Sequence, residues 1–121
     1  MKGTVCFDFD GTIHRFSKGW QGETNIYDPP VEGIREEISR IRKAGYRIIV
    51  QTTRCATTDG WAAVSAWLVE NNIEFDNVVV EKPVAVAYID DRAIQFRGNP
   101  AGLLEKIEEL KPWWEEKRDN Q

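Results

Sequence analysis

The chain has 121 residues, with 20 acidic side chains against 16 lysines and arginines and a net charge of −4. This length fits one domain, and we expect residues 1–121 to form it. Hydrophobic residues make up 41% of the chain and include five tryptophans, which excludes intrinsically disordered and low-complexity classes. An acidic chain also lacks the surplus of basic residues that non-specific duplex binding needs.

The sequence gives no indication of export or of a membrane. Cys6 and Cys55 are far apart in the chain and have neither metal-binding nor redox spacing. Acidic residues interrupt the N-terminal segment too early for a signal peptide, and no apolar run approaches the length of a membrane span. We therefore predict a cytoplasmic protein without membrane partners.

The first two predicted elements are a strand and a long loop. Residues 4–9 form a short apolar run that ends in acids and Gly11, as expected of a buried strand. Residues 11–30 contain several glycines and a proline pair without a clean hydrophobic period, which is typical of a functional loop. We expect this loop to form one wall of a substrate site, with Arg15 and Lys18 favouring a substrate that has further negative charge.

Two helices are predicted on either side of a second strand. The first helix begins near Val31 and ends at Gly45, and the β-branched run over residues 46–52 is the strand. Thr58-Asp59 is the expected N-cap of the second helix, which ends at Asn71-Asn72. Each helix has an apolar face at helical spacing: Ile34, Ile38 and Ile41 in the first, and Trp61, Val64 and Leu68 in the second.

Two more apolar runs, residues 77–80 and 84–89, precede a last helix over residues 100–110. Only three residues separate the two runs, whereas a parallel crossover needs a dozen or more. They are therefore not expected to be neighbouring parallel strands; residues 77–80 form a short edge strand or run in another direction. The alternation of strands and helices predicts an α/β fold, a Rossmann-like three-layer sandwich with a mainly parallel sheet.

Polar side chains follow the ends of three predicted strands, where ligands bind in open α/β sheets. Asp8 and Asp10 end the first strand, and their i, i+2 spacing lets both face the same crevice. Asp90 and Asp91 end the last apolar run. The residues after the second strand are Thr52, Thr53 and Arg54. Carboxylates, hydroxyls and a guanidinium together predict a hard-cation site beside an anion site.

These residues carry a family resemblance. The segment VCFDFDGTI, residues 5–13, resembles the first motif of the haloacid dehalogenase (HAD) superfamily, whose members are mostly Mg²⁺-dependent phosphohydrolases. Residues 48–52 look like the second motif, a strand that ends in Thr or Ser, and Lys82 looks like the third-motif lysine. Asp90-Asp91 is similar to the acidic fourth motif. The resemblance spans nearly the whole chain and implies a single HAD-like hydrolase domain, here without the cap domain that many members have.

The resemblance implies a role for each motif residue. Asp8 would attack phosphorus and form an aspartyl-phosphate, while Asp10 would protonate the leaving oxygen and then deprotonate water. Thr52 and Lys82 would hold the phosphoryl oxygens, with Thr53 in place of Thr52 if the strand ends one residue later. The Mg²⁺ ligands would be the Asp8 carboxylate, the Asp10 carbonyl, and Asp90 or Asp91, the choice between the last two being open. Gly11, Thr53 and Arg54 are the remaining candidate substrate contacts.

The predicted activity is hydrolysis of phosphomonoesters with Mg²⁺ as cofactor. The substrate would be a phosphorylated small molecule or the phosphorylated end of a macromolecule. A phosphotransferase and a polynucleotide 3′-phosphatase are alternatives on the same site, and a non-catalytic module that binds phosphate or metal is the rival from another class. Capless relatives act on large substrates or take a lid from a neighbouring subunit, so a homo-oligomer is also considered.

Several of these residues have a second interpretation. Arg54 either reaches the substrate or forms a salt bridge on the rim of the site. His14 is the single histidine of the chain, and in a loop it is expected to be a bystander. Trp20 is expected to pack the loop onto the domain, with stacking on a substrate as the alternative. Trp113 and Trp114 are expected to form a hydrophobic clamp on the domain, with an oligomer contact second.

Overall fold

The computed structural model describes residues 1–115, which form an α/β fold around a four-stranded, all-parallel sheet. The strands are β1 (Gly3–Asp8), β2 (Tyr46–Gln51), β3 (Asn77–Val79) and β4 (Ala87–Ile89). The helices are α1 (Ile34–Lys43), α2 (Thr58–Glu70) and α3 (Leu103–Glu109), and a 3₁₀ turn, Thr53–Ala56, joins β2 to α2. The predicted α/β class and parallel sheet are confirmed. This architecture is compatible with a Rossmann-like fold.

The strand order is β3-β2-β1-β4, so the two late strands lie at opposite edges of the sheet. The prediction that these runs are not neighbouring strands is confirmed. Of the two alternatives for residues 77–80, the structure shows the short edge strand, β3. The second run, predicted over residues 84–89, pairs with β1 only from Ala87 onwards. The preceding residues of that run are needed to cross from one edge of the sheet to the other, which shortens the strand.

The hydrophobic core cluster lies on one face of the sheet, and Cys6 and Ile49 are buried on the opposite face. Residues of β1 and β2 that are paired in register, such as Val5 with Ile48 and Phe7 with Val50, point to the same side because side chains alternate along a strand. Helices α1 and α2 complete this core with four buried side chains: Ile38, Val64, Trp67 and Leu68. By contrast, α3 buries none of its residues, so it does not supply the second helical layer of the predicted three-layer sandwich.

Two details of α2 differ from the prediction. The N-cap is Thr57 rather than Thr58, because the Thr57 hydroxyl accepts a hydrogen bond from the Gly60 amide at 3.1 Å. Trp61 is 49% exposed, and Trp67 is the tryptophan of this helix that enters the core. Of the predicted apolar face, Val64 and Leu68 are buried as expected, and Trp67 takes the place of Trp61. Among residues 1–115, no helix has the length and apolar character needed to cross a membrane.

Candidate functional site

Three carboxylates converge at the carboxyl ends of two adjacent parallel strands. Asp8 is the last residue of β1, while Asp90 and Asp91 directly follow β4. One carboxylate oxygen from each lies within 4.8 Å of the others. Strands that run in the same direction have their carboxyl ends at the same end of the sheet, which explains why Asp8 meets two residues that are 82 and 83 positions later in the chain. The predicted gathering of strand-end acids is therefore present, and we call these three residues the acid cluster.

The acid cluster could hold a divalent cation. Burial raises the pKa of Asp8 to about 8, together with a hydrogen bond shared with Asp91 and the negative charges of Asp90 and Asp91. One carboxylate oxygen of Asp91, Oδ1, is buried without a hydrogen-bond partner among the described residues. An all-oxygen donor set of this kind suits a hard cation such as Mg²⁺, which would also offset the crowded negative charge.

Asp10 lies in an environment opposite to that of Asp8. Its Oδ1 accepts a hydrogen bond from Nδ1 of His14 at 2.8 Å, and its Oδ2 accepts one from Nε of Arg54, also at 2.8 Å. Burial alone would raise the pKa of Asp10, but the hydrogen bonds from His14 and Arg54 outweigh it, so the pKa is lowered. Two neighbouring carboxyls whose pKa values move in opposite directions are suited to different roles in one reaction.

His14 is fully buried, and its hydrogen bonds fix which ring nitrogen carries the hydrogen. The backbone N–H of Asp28 donates to Nε2 at 3.1 Å, so Nδ1 is left to donate to Asp10. Four aromatic rings surround the imidazole, with centroids 5.0–5.9 Å away: Phe9, Phe16, Tyr27 and Trp67. The prediction of a bystander is wrong, because His14 orients a first-motif carboxylate. Its position four residues after Asp10 was the available signal.

Arg54 lies behind the site and not on its rim. Its side chain is 0% exposed, and Nη1 donates to the carbonyls of Gly22 and Glu23 at 2.8 and 2.9 Å. With the bond from Nε to Asp10, the guanidinium joins the loop to the first motif. Arg54 does form a salt bridge, with Asp10, but the prediction that this bridge lies on the rim of the site is wrong, because Arg54 is buried. Arg54 is not among the residues that line the cavity described next, and its predicted substrate contact stays a prediction.

A cavity of about 480 Å³ opens at the acid cluster. The residues that line it are Asp8, Asp10, Phe16, Trp20, Gln51, Thr52, Thr53, Asp90, Arg92 and Trp114. Thr52 is buried, and its hydroxyl oxygen accepts the backbone N–H of Arg54 at 3.2 Å. Both predicted second-motif threonines thus face the same space as the acids.

The predicted loop wall is present, but its residues differ from those expected. Phe16 and Trp20 line the acid cavity. Arg15 instead lines a larger cavity of about 610 Å³ beside the start of α1, which contains none of the acid cluster. The Lys18 ammonium nitrogen lies 5.7 Å from the ring centroid of Tyr27. We place the candidate site in the smaller cavity because the strand-end carboxylates open into it.

The two C-terminal tryptophans contact the turn of the first motif. Trp113 donates its indole N–H to the carbonyl of Gly11 at 2.7 Å, and Trp114 donates to Oδ2 of Asp91 at 2.6 Å. Gly11 has a φ of +81°, and an added Cβ would meet both the Asp91 carboxylate and the Trp114 indole. The expected clamp on the domain therefore also orients a member of the acid cluster.

Lys82 lies in the exposed segment between β3 and β4. Its ammonium nitrogen is 4.2 Å from the ring centroid of Tyr88, and it is not among the residues that line the cavity. Its positive charge opposes the rise that burial causes in the pKa of the Cys6 thiol. A role in phosphate binding stays a prediction.

Comparison with known proteins supports the fold alone. No family model and no curated protein matches the sequence. A protein target from Vibrio cholerae, known from its crystal structure, is similar to this chain with a TM-score of 0.51 and 22% sequence identity. The alignment covers 94% of this chain and 98% of that chain. At this identity, what the two chains share is the fold.

Proposed function

We propose that this protein is a Mg²⁺-dependent phosphomonoester hydrolase of the HAD type, in which Asp8 is the nucleophile. The observation that supports it best is the acid cluster at the ends of β1 and β4, which opens into a cavity with Asp10 and Thr52. Three carboxylates at a parallel-sheet edge have few structural uses, since their mutual repulsion disfavours the ionised state. A phosphate-transfer site that uses a hard cation accounts for that cost.

The cation would be held by Asp8, Asp90 and Asp91. When bound, Mg²⁺ offsets negative charge on the phosphoryl group and favours the ionised form of Asp8. The ionised form is the nucleophile, because a protonated carboxyl group is a much poorer nucleophile than a carboxylate. The hydrogen bond from Trp114 to Asp91 holds one ligand in place, as supporting contacts commonly do around metal sites.

Asp8 would displace the leaving oxygen from phosphorus and form an aspartyl-phosphate, which water then hydrolyses. Asp10, held as an anion by His14 and Arg54, is ready as it stands to deprotonate that water. In the first step it must instead take a proton from solvent, which it then gives to the leaving oxygen. We therefore expect good leaving groups, which need little protonation, to react faster than alkyl groups.

The phosphoryl oxygens would be bound by the second-motif threonines. The hydroxyl oxygen of Thr52 already accepts the Arg54 amide, so its own hydrogen is available to donate to an oxyanion. Thr53 lines the same cavity and supplies a second hydroxyl. Lys82 would add a positive charge if the segment between β3 and β4 moves towards the cavity when phosphate binds.

The test is phosphate release from an aryl phosphate with and without Mg²⁺. We expect Asp8→Asn to retain under about 1% of the activity, because an amide neither attacks phosphorus nor supplies an anionic ligand. Asp59→Asn is the matched control, since Asp59 lies exposed in the first turn of α2, and it should be fully active. Wild-type protein without activity on a broad panel of phosphomonoesters, or an active Asp8→Asn protein, contradicts the proposal.

A further inference from the structure

Trp20 is a large aromatic side chain that is exposed and yet held in place. It is 56% exposed, and its ring centroid lies 4.7 Å from the guanidinium carbon of Arg54. Arg54 is itself fully buried and bonded to Asp10, Gly22 and Glu23. One face of the indole therefore rests on a fixed cation. The rest of the ring remains exposed beside the cavity that it lines.

The position of this ring relative to the chemistry follows from Arg54. The same guanidinium contacts Asp10 through Nε and Trp20 through its face, so a single group separates the ring from the Asp10 carboxylate. In the proposed reaction, on which this inference rests, Asp10 protonates the leaving oxygen. Because Asp10 and Trp20 line the same cavity and contact the same guanidinium, the ring is within reach of a leaving group at Asp10.

The remaining walls indicate what kind of leaving group fits. Phe16 and Trp114 add aromatic surface, their ring centroids 5.0 Å apart. Gln51 and Arg92, which the proposed phosphate contacts do not use, add an amide and a positive charge. A volume of about 480 Å³ exceeds what a phosphorylated phenyl ring occupies and is within the range of sites for larger ligands. The leaving group should therefore combine a planar ring with hydroxyls.

We propose that the substrate is a nucleoside monophosphate whose base stacks on Trp20. Bases stack on exposed tryptophan rings in many proteins without sequence preference, because every base has a π face. The sugar hydroxyls would meet the polar wall, and the phosphate would lie at the acid cluster. A ring already fixed on Arg54 loses little freedom on binding, which favours affinity.

The experiment measures binding separately from turnover. Asp8→Asn protein with Mg²⁺ is titrated calorimetrically with adenosine 5′-monophosphate, ribose 5-phosphate and phenyl phosphate. We expect the nucleotide to bind about tenfold more tightly than either fragment, as one stacked base predicts. Added to Asp8→Asn, Trp20→Ala should abolish this preference and leave ribose 5-phosphate binding unchanged, while Trp20→Phe should retain most of it. Trp61→Ala is the matched control, since Trp61 is 49% exposed on α2 and does not line the cavity.

Equal binding of the nucleotide and ribose 5-phosphate overturns the inference, as does a preference that survives Trp20→Ala or a nucleotide that does not bind. Phenyl phosphate that binds as tightly as the nucleotide overturns the nucleoside assignment. The proposed hydrolysis is tested separately. If the protein hydrolyses no phosphomonoester but still shows a Trp20-dependent preference for the nucleotide, the hydrolysis is contradicted and the stacking site is retained. Conversely, if wild-type protein hydrolyses aryl phosphates but shows no preference for a base, only the nucleotide as substrate is contradicted.

Discussion

Replacing Arg54 tests whether the buried guanidinium holds the site together. Arg54→Ala removes the bond to Asp10 and the two bonds to the carbonyls of Gly22 and Glu23. It leaves the Asp10 carboxylate, which is itself partly buried, with His14 as its remaining partner. Loss of one member of a buried ion pair costs about 3–5 kcal/mol. This is a large part of the roughly 5–15 kcal/mol expected for a whole domain.

Urea unfolding followed by circular dichroism measures this loss. We expect Arg54→Ala to lower the free energy of unfolding by about 4 kcal/mol and the Tm by roughly 15 °C. Arg54→Lys keeps the charge but cannot reach Asp10 and both carbonyls together, so its loss should be intermediate. Arg92→Ala is the control, because Arg92 is exposed on the rim of the cavity and should cost about 0.5 kcal/mol or less.

The loss should also depend on pH. The folded-state pKa of Asp10 is lowered, so its ionised form stabilises the protein above the unfolded-state pKa of about 4. This stabilisation is lost as the pH falls through the lower folded-state value. The difference between wild type and Arg54→Ala should therefore be largest near neutral pH and shrink in acid. A loss under about 1 kcal/mol at pH 7, or one that grows on acidification, would refute the reasoning.

Two further predictions concern a turn and a surface ion pair. Gly11→Ala should cost about 1–3 kcal/mol and weaken Mg²⁺ binding measured by calorimetry, because the added Cβ meets the acid cluster. Gly22→Ala, at a similar positive φ but with open space around it, should keep Mg²⁺ affinity; equal effects would contradict this. Asp76 has a lowered pKa because Arg42 and the Ile48 amide each donate to it at 2.8 Å. Asp76→Asn should cost about 1 kcal/mol in urea at pH 7, and the cost should shrink as the pH falls through the lowered pKa of Asp76 and the wild-type carboxyl becomes protonated; a cost unchanged in acid would exclude the ionic contribution.

The strands were predictable because their apolar runs are local signals. Both β1 and β2 begin and end within one residue of their predicted bounds. The end of β4 was predictable as well, which is why the acid cluster could be anticipated from Asp8, Asp90 and Asp91. By contrast, the start of β4 depends on where the chain crosses the sheet, and no local pattern marks that point.

The i, i+4 spacing of Asp10 and His14 is a local signal, but the rest of the support of Asp10 could not be predicted, because it depends on contacts distant in sequence. Arg54 reaches back 44 positions to Asp10, and His14 is fixed by an amide 14 positions away. A basic residue after a strand is more often solvated, so burial of Arg54 is visible only once the loop packs over it. Trp61 and Trp67 illustrate the same limit: both lie beside the apolar face of α2, and only tertiary packing decides which one is buried.

The central claim is that Asp8 attacks phosphorus, and trapping the covalent intermediate tests it most directly. Asp10→Asn protein is mixed with an aryl phosphate and Mg²⁺, quenched in acid and analysed by intact mass and peptide mapping. We predict one added phosphoryl group on the peptide that contains Asp8, because the variant lacks the base that activates water for the second step. Asp8→Asn protein should carry none. Steady release of phosphate by wild-type protein, with no adduct on Asp8 at any time in the Asp10→Asn protein, would contradict the account.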